Sequence, residues 1–153
     1  GTSWSETADL NTARFGLAGA GTDKESALAF GGGYPAVRAE TEEWNGTSWS
    51  EQADLNTARD YPGGMGTREA ALAFGGEGTA HDAETESWNG TSWTEVTDLN
   101  TARGGISGAG EYTSGLAFGG EAPPGVVGNT ESVSAATEEW SSTSNTTKTI
   151  STD

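Results

Sequence analysis

The side chains able to do chemistry are few, and most of them recur at fixed intervals. His81 is the single histidine, and one imidazole cannot build a multi-histidine metal site. Its loop, GTAHDAE, offers no Ser-His-Asp constellation. Carboxylates cluster at Glu40, Glu42 and Glu43, at Glu84 and Glu86, and at Glu138 and Glu139. Paired carboxylates are the equipment of glycoside hydrolysis, but these occupy repeated positions, so a solvated acidic face is the expectation. The calcium pattern D-x-[DN]-x-[DN]-G is absent. The stretches GGG and GAG lack the Lys-Ser/Thr that closes a phosphate-binding loop. With zero cysteines there is no thiolate zinc site, disulfide or cysteine nucleophile. The reading is therefore non-catalytic, with no cofactor and no metal.

Composition narrows the partners. The 153 residues carry 23 acids against 7 bases, a formal net charge of −16. Such a surface has no cationic face to displace counterions from phosphate, which argues against nucleic acid. It equally disfavours docking on anionic lipid. No apolar run approaches the ~20 residues of a membrane span. Only 32% of the chain is hydrophobic and 24 residues are glycine, but six tryptophans at ordered spacing argue for a folded domain.

That spacing is a tandem repeat. WSETADLNTAR starts at Trp4, WSEQADLNTAR at Trp49 and WTEVTDLNTAR at Trp93, intervals of 45 and 44 residues. LAFGG recurs at Leu28, Leu72 and Leu116, and a TExW element ends at Trp44, Trp88 and Trp140. Each unit holds four strand candidates. The first is Gly/Ala-rich (FGLAGAGT, YPGGMGT, GISGAG). The second reads SALAF, AALAF or SGLAF, the third AETEEW, AETESW or AATEEW, and the fourth TSWSEQADL or its equivalents. Asn45-Gly46 and Asn89-Gly90 fall between third and fourth strands, where Asn-Gly signals a two-residue type I′ hairpin. The same Asn45 and Asn89, with Asn145, satisfy N-x-[ST]. No window sustains a 3.6-residue apolar period, so no helix is expected.

Four-stranded units at this period predict an all-β propeller. Glycine pairs close the second strand, an aromatic ends the third, a tryptophan follows five residues later, and an arginine precedes the first strand. In these features the chain resembles the Kelch repeat over nearly its whole length. The wording WNGTSW…DLNTAR…ALAFGG is similar to tandem repeats of marine phage and marine bacterial proteins. The resemblance implies three four-stranded antiparallel blades plus an extra N-terminal strand: residues 1–10 a lone fourth strand, 11–55 blade 1, 56–99 blade 2 and 100–153 blade 3. Residues 143–151 of the last blade are a divergent terminal strand. Kelch propellers include a copper oxidase that needs a cysteine crosslinked to tyrosine, chemistry closed to a chain without cysteine.

Three blades are fewer than the ~4–8 of an ordinary propeller. Either the chain is part of a six- or seven-bladed protein, or two copies join head to tail into a six-bladed ring. In the second case residues 3–8 of one copy are expected to pair with Ala135–Trp140 of the other. Repetition itself separates scaffold from site. Trp4, Trp44, Trp49, Trp88, Trp93 and Trp140 read as packing between blades. Arg14, Arg59 and Arg103 read as fixing the inter-blade turn, through backbone carbonyls or the Asp five residues earlier. What varies is the loop from second to third strand, which is expected to share a face with the DLNTAR connections. Tyr34, Arg38, His81, Pro123 and Val126 are its candidate contacts, since loops carry binding on a rigid platform. The function expected is an interaction or structural module of a phage virion or tail fibre. A secreted or surface adhesion module binding polysaccharide is the alternative, and non-catalytic blades of a larger enzyme the third reading. The expected partners are other protein subunits, including a second copy of the chain, or a surface glycan. The expected location is the virion or the extracellular space.

Overall fold

The computed structural model describes residues 3–78, 80–122, 132–133, 136–141 and 148–150. Among them all regular structure is antiparallel β, with no helix. The first sheet runs β1 (Ala18–Asp23), β2 (Ser26–Phe30), β3 (Thr41–Trp44) and β4 (Trp49–Glu51) in chain order. The second repeats it with β5 (Gly63–Gly66), β6 (Ala71–Phe74), β7 (Thr85–Trp88) and β8 (Trp93–Glu95). The third contains β9 (Ser107–Glu111), β10 (Ser114–Phe118), β13 (Thr137–Ser141) and β14 (Lys148–Ile150), with order β14-β13-β10-β9. The long loop before β13 contributes a two-stranded hairpin, β11 (Glu121–Ala122) with β12 (Ser132–Val133).

Alternation along the second strand assigns each sheet two faces. In β2, Leu28 and Phe30 point toward the second sheet, where they meet Ala71, Ala73, Trp88 and Trp93 in one core cluster. In β6 the corresponding Leu72 and Phe74 meet Ala117 and Trp140 of the third sheet. Leu55 and Leu99, from the DLNTAR connections, complete these two layers. Each layer is thus a Leu-Phe face against an Ala-Trp face. Trp93 shows the fit: its ring meets Phe30 edge-on at 5.0 Å, lies 5.3 Å from Trp88, and donates its indole N–H to Thr41 Oγ1 at 2.9 Å. The first strands β1, β5 and β9 lie side by side. Gly64 and Gly108 are small for a reason there. A Cβ on Gly64 would stand 2.7 Å from Phe30 Cζ, and one on Gly108 2.4 Å from Phe74 Cζ.

Several boundaries differ from the sequence expectation. The first strands begin two or three residues late, because residues 15–16 and 60–61 pair sideways with other loops. The fourth strands shrink to three residues. The Asn-Gly turns are not two-residue I′ turns: Trp44 pairs with Trp49, leaving a four-residue loop. Within it Gly46 alone has φ of +91°, while Asn45 Oδ1 accepts the N–H groups of Thr47 and Ser48 at 3.0 Å. The side chain thereby does the work that a second positive φ would do. Residues 3–10 form no strand, and Trp4 is fully exposed rather than packed. The edge of β13 expected to receive residues 3–8 of a second copy is held by the chain's own β14, with Glu138 opposite Thr149.

Candidate functional site

Two constellations stand out, one buried and one exposed. The buried one is repeated. Arg59 and Glu86 are wholly enclosed and paired at 2.7 Å, as are Arg103 and Glu138, and Arg14 pairs with Glu42 in the same way at 2.5 Å. The second carboxylate oxygen of Glu86 accepts the backbone N–H and side-chain amide of Asn56, both at 2.8 Å. Asn100 makes the matching bonds to Glu138, and Asn11 N–H reaches Glu42. Arg59 also donates to the carbonyls of Gly75 and Glu84, and Arg103 to those of Gly119 and Ala136.

Each LNTAR segment therefore wraps one glutamate of its own sheet and pairs its charge, most completely around Arg59; Arg14 Nε and Nη2 and Arg103 Nε are buried without a hydrogen-bond partner among the described residues. This corrects the expectation of a solvated acidic face at Glu42, Glu86 and Glu138. The arginines do bond carbonyls, but their acid partner is the third-strand glutamate and not the Asp five residues earlier. A Glu at the second position of TExW and an Arg at the end of LNTAR, both invariant across three units, were the available signal. These groups face protein on every side, so they hold the connection rather than offer a surface.

The exposed constellation lies where loops and connections meet. Gly33 pairs with Phe15 and with Val37, Glu77 with Asp60 and His81, and Glu121 with Gly104. The second-to-third loops and the starts of the first strands thus share one side, as the topology requires. Backbone bonds then run from unit to unit: Tyr61 N–H to Gly16 O at 2.8 Å, and Gly105 N–H to Tyr61 O at 3.1 Å. This lacing brings three aromatic rings together. Phe15 lies 6.3 Å from Tyr34 and 6.1 Å from Tyr61, all tilted and all exposed.

None of the three belongs to the repeat. Phe15 corresponds to Asp60 and Gly104, Tyr34 to Gly78, and Tyr61 to Gly16 and Gly105. The last substitution is costly. Gly16 and Gly105 have φ of +63° and +60°, and Tyr61 adopts the same left-handed conformation at +49°. For a non-glycine residue that costs about 1–2 kcal/mol. Strain of this kind collects where a side chain must be presented.

Of the residues singled out in the sequence, Tyr34 is in this cluster. Arg38 braces it from behind, donating Nε and Nη2 to Tyr34 O at 3.2 and 3.1 Å while Nη1 pairs with Glu40 at 2.5 Å. His81 is in the next unit's loop, its Nε2 3.7 Å from Glu77 Oε1 and without a hydrogen-bond partner. Beside it, burial pushes the Asp82 carboxyl above its ordinary range. Pro123 and Val126 lie outside the described residues. Phe15 and Tyr61 were missed because they sit at the start of what reads as strand. Their departure from the repeat was the only hint. Of the other tryptophans, Trp44, Trp88, Trp93 and Trp140 are buried, and Trp49 is half-buried against Trp44 at 5.4 Å.

Among the described residues no group of three or more His, Cys, Asp or Glu side chains is placed to hold a metal ion. No family model matches this chain. No curated protein matches it in sequence either.

Proposed function

We propose that the three sheets are blades of a Kelch-like β-propeller and that the chain is a non-catalytic interaction module which engages its partner through the loop face. The observation that carries this reading is the Phe15–Tyr34–Tyr61 cluster. Three aromatics that break the repeat converge on one exposed patch, and one of them holds a conformation its siblings reserve for glycine. The repeat wording favours a setting on a phage virion or tail fibre, and the strongly acidic surface suits a protein working outside a cell. Binding of a surface polysaccharide is the second reading. Exposed aromatic faces on a rigid platform favour it, since stacking on sugar rings needs little else.

The test is to change Phe15→Ala, Tyr34→Ala and Tyr61→Gly together. Tyr61→Gly relieves the left-handed strain while losing a ring contact worth about 0.5–1.5 kcal/mol, so the net change in stability is small. The expected result is a folded protein whose binding to a glycan array, or to purified virion subunits from the same genome neighbourhood, falls at least tenfold. Binding that survives the triple change sinks the loop-face reading. Signal on glycans but not on virion subunits selects the second reading.

A further inference from the structure

The two internal sheet–sheet layers define a template, and the outer faces of the first and third sheets carry its two halves. In the third sheet Leu116 and Phe118 stand at the positions of Leu28–Phe30 and Leu72–Phe74. Those four are covered, whereas Leu116 and Phe118 are each 40% exposed. Beside Gly31 and Gly75 a Cβ would meet the carbonyl of Arg59 or Arg103 of the following unit within 2.8 Å; beside Gly119 it would meet none of the described residues within 4 Å. Opposite, the first sheet carries Ala27, Ala29, Trp44 and Trp49, in the register by which Ala71, Ala73, Trp88 and Trp93 cover Leu28 and Phe30; Ala29 and Trp44 are already buried, and Ala27 and Trp49 are the half-exposed members of the set. Its tryptophan pair already has the geometry of the buried one, 5.4 Å and 45° against 5.3 Å and 44°.

We propose that the Leu116–Phe118 face of one copy packs on the Trp49 face of a second copy, and that two chains close head to tail into a six-bladed ring. The internal layers specify the contacts. Phe118 covers Gly19, as Phe30 covers Gly64 and Phe74 covers Gly108; in the single chain, Leu28 O is the one atom of the described residues near the Cβ position of Gly19. Trp49 meets Phe118 and donates to Thr137, as Trp93 meets Phe30 and donates to Thr41. Gly120 N–H reaches Arg14 O, as Gly32 N–H reaches Arg59 O at 2.9 Å and Gly76 N–H reaches Arg103 O at 2.8 Å. The charges also match: Arg68 pairs across the first layer with Glu43 at 3.0 Å, and their siblings here are Lys24 and Glu139. Both interfaces of such a ring are the same heterologous contact, and two copies satisfy every face. This closure uses sheet faces and leaves β14 in place, unlike exchange of residues 3–8.

Sedimentation equilibrium of the 153-residue chain tests it. At about 100 µM, a hundredfold above a micromolar dissociation constant, the expected mass is twice the 15.6 kDa of one chain. Phe118→Glu and, separately, Trp49→Glu lie on opposite faces, and each is expected to return the mass to one chain with the far-UV spectrum unchanged. Mixing the two variants restores one intact interface, so a species of two chains reappears. A wild-type monomer, a ladder of open oligomers, or a dimer that both variants leave intact overturns the proposal.

Discussion

Glu86 is the residue on which the second unit turns. It is fully enclosed, pairs with Arg59, and accepts from the backbone and side chain of Asn56 and from the backbone of Thr57. Removing one member of such a pair strands the other charge without solvent, which costs about 3–5 kcal/mol. Glu86→Ala should therefore lower the urea midpoint severely. Glu86→Gln, which keeps one acceptor, should cost less, and Glu95→Gln on the exposed fourth strand should stay within about 0.5 kcal/mol. Equal midpoints for Glu86→Ala and Glu95→Gln would refute the wrapped-glutamate account. The arginine half of this pair was visible in the sequence as a repeated LNTAR ending. The glutamate half was hidden, because Glu84, two residues before Glu86, and Glu43, next to the equivalent Glu42, are at least partly exposed and period-2 alternation does not say which side is wet when protein covers both.

At the scale of elements, the sheet is legible wherever a residue type has one physical job. Gly-Gly ends β2, β6 and β10 because both positions need positive φ, from +61° to +108° across the three pairs. Leu and Phe alternate with Ala in the second strand because a bulky face meets a flat one. The fourth strands and turns were harder to read. Asn45 reaches its own backbone and so replaces a tight turn by a looser one, a local choice that the dipeptide does not reveal. Glycines of the first strand have a job set entirely by the next sheet. Gly108→Ala places a methyl 2.4 Å from Phe74 Cζ and 3.0 Å from Gly64 O, and overpacking of this kind costs about 1–3 kcal/mol. The same change at Gly19 meets only Leu28 O at 3.2 Å, so it should cost the isolated chain less. Thermal melts of the two variants at low protein concentration check the order. A Gly19→Ala melt as low as that of Gly108→Ala would mean that the first sheet's outer face is already covered.

The whole molecule carries a formal charge of −16, and its few cations are largely committed. Arg14, Arg59 and Arg103 are enclosed with their glutamates, while Arg38 pairs with Glu40, and Arg68 with Glu43 and Glu69, at partly exposed sites. The remaining surface acids repel one another across distances that salt screens, because the Debye length shrinks from about 30 Å at 0.01 M to about 3 Å at 1 M. The enclosed Arg–Glu pairs exclude water and are screened far less. Repulsion acts against the compact state and, more strongly, against bringing two such chains together, since their charges then lie within one particle. Sodium chloride is therefore expected to raise the melting temperature steadily between about 0.01 and 0.5 M, and to tighten any self-association over the same range. Sulfate is a poor choice of salt for this purpose, because it strengthens apolar burial by itself. Differential scanning fluorimetry across a chloride series, at two protein concentrations, separates the effects. A rise common to both concentrations reports relief of repulsion within the chain, and a steeper rise at the higher concentration reports association. A melting temperature that falls with chloride would mean that exposed pairs such as Lys24–Glu25 outweigh the excess of acid, contrary to the small worth of fully solvated pairs.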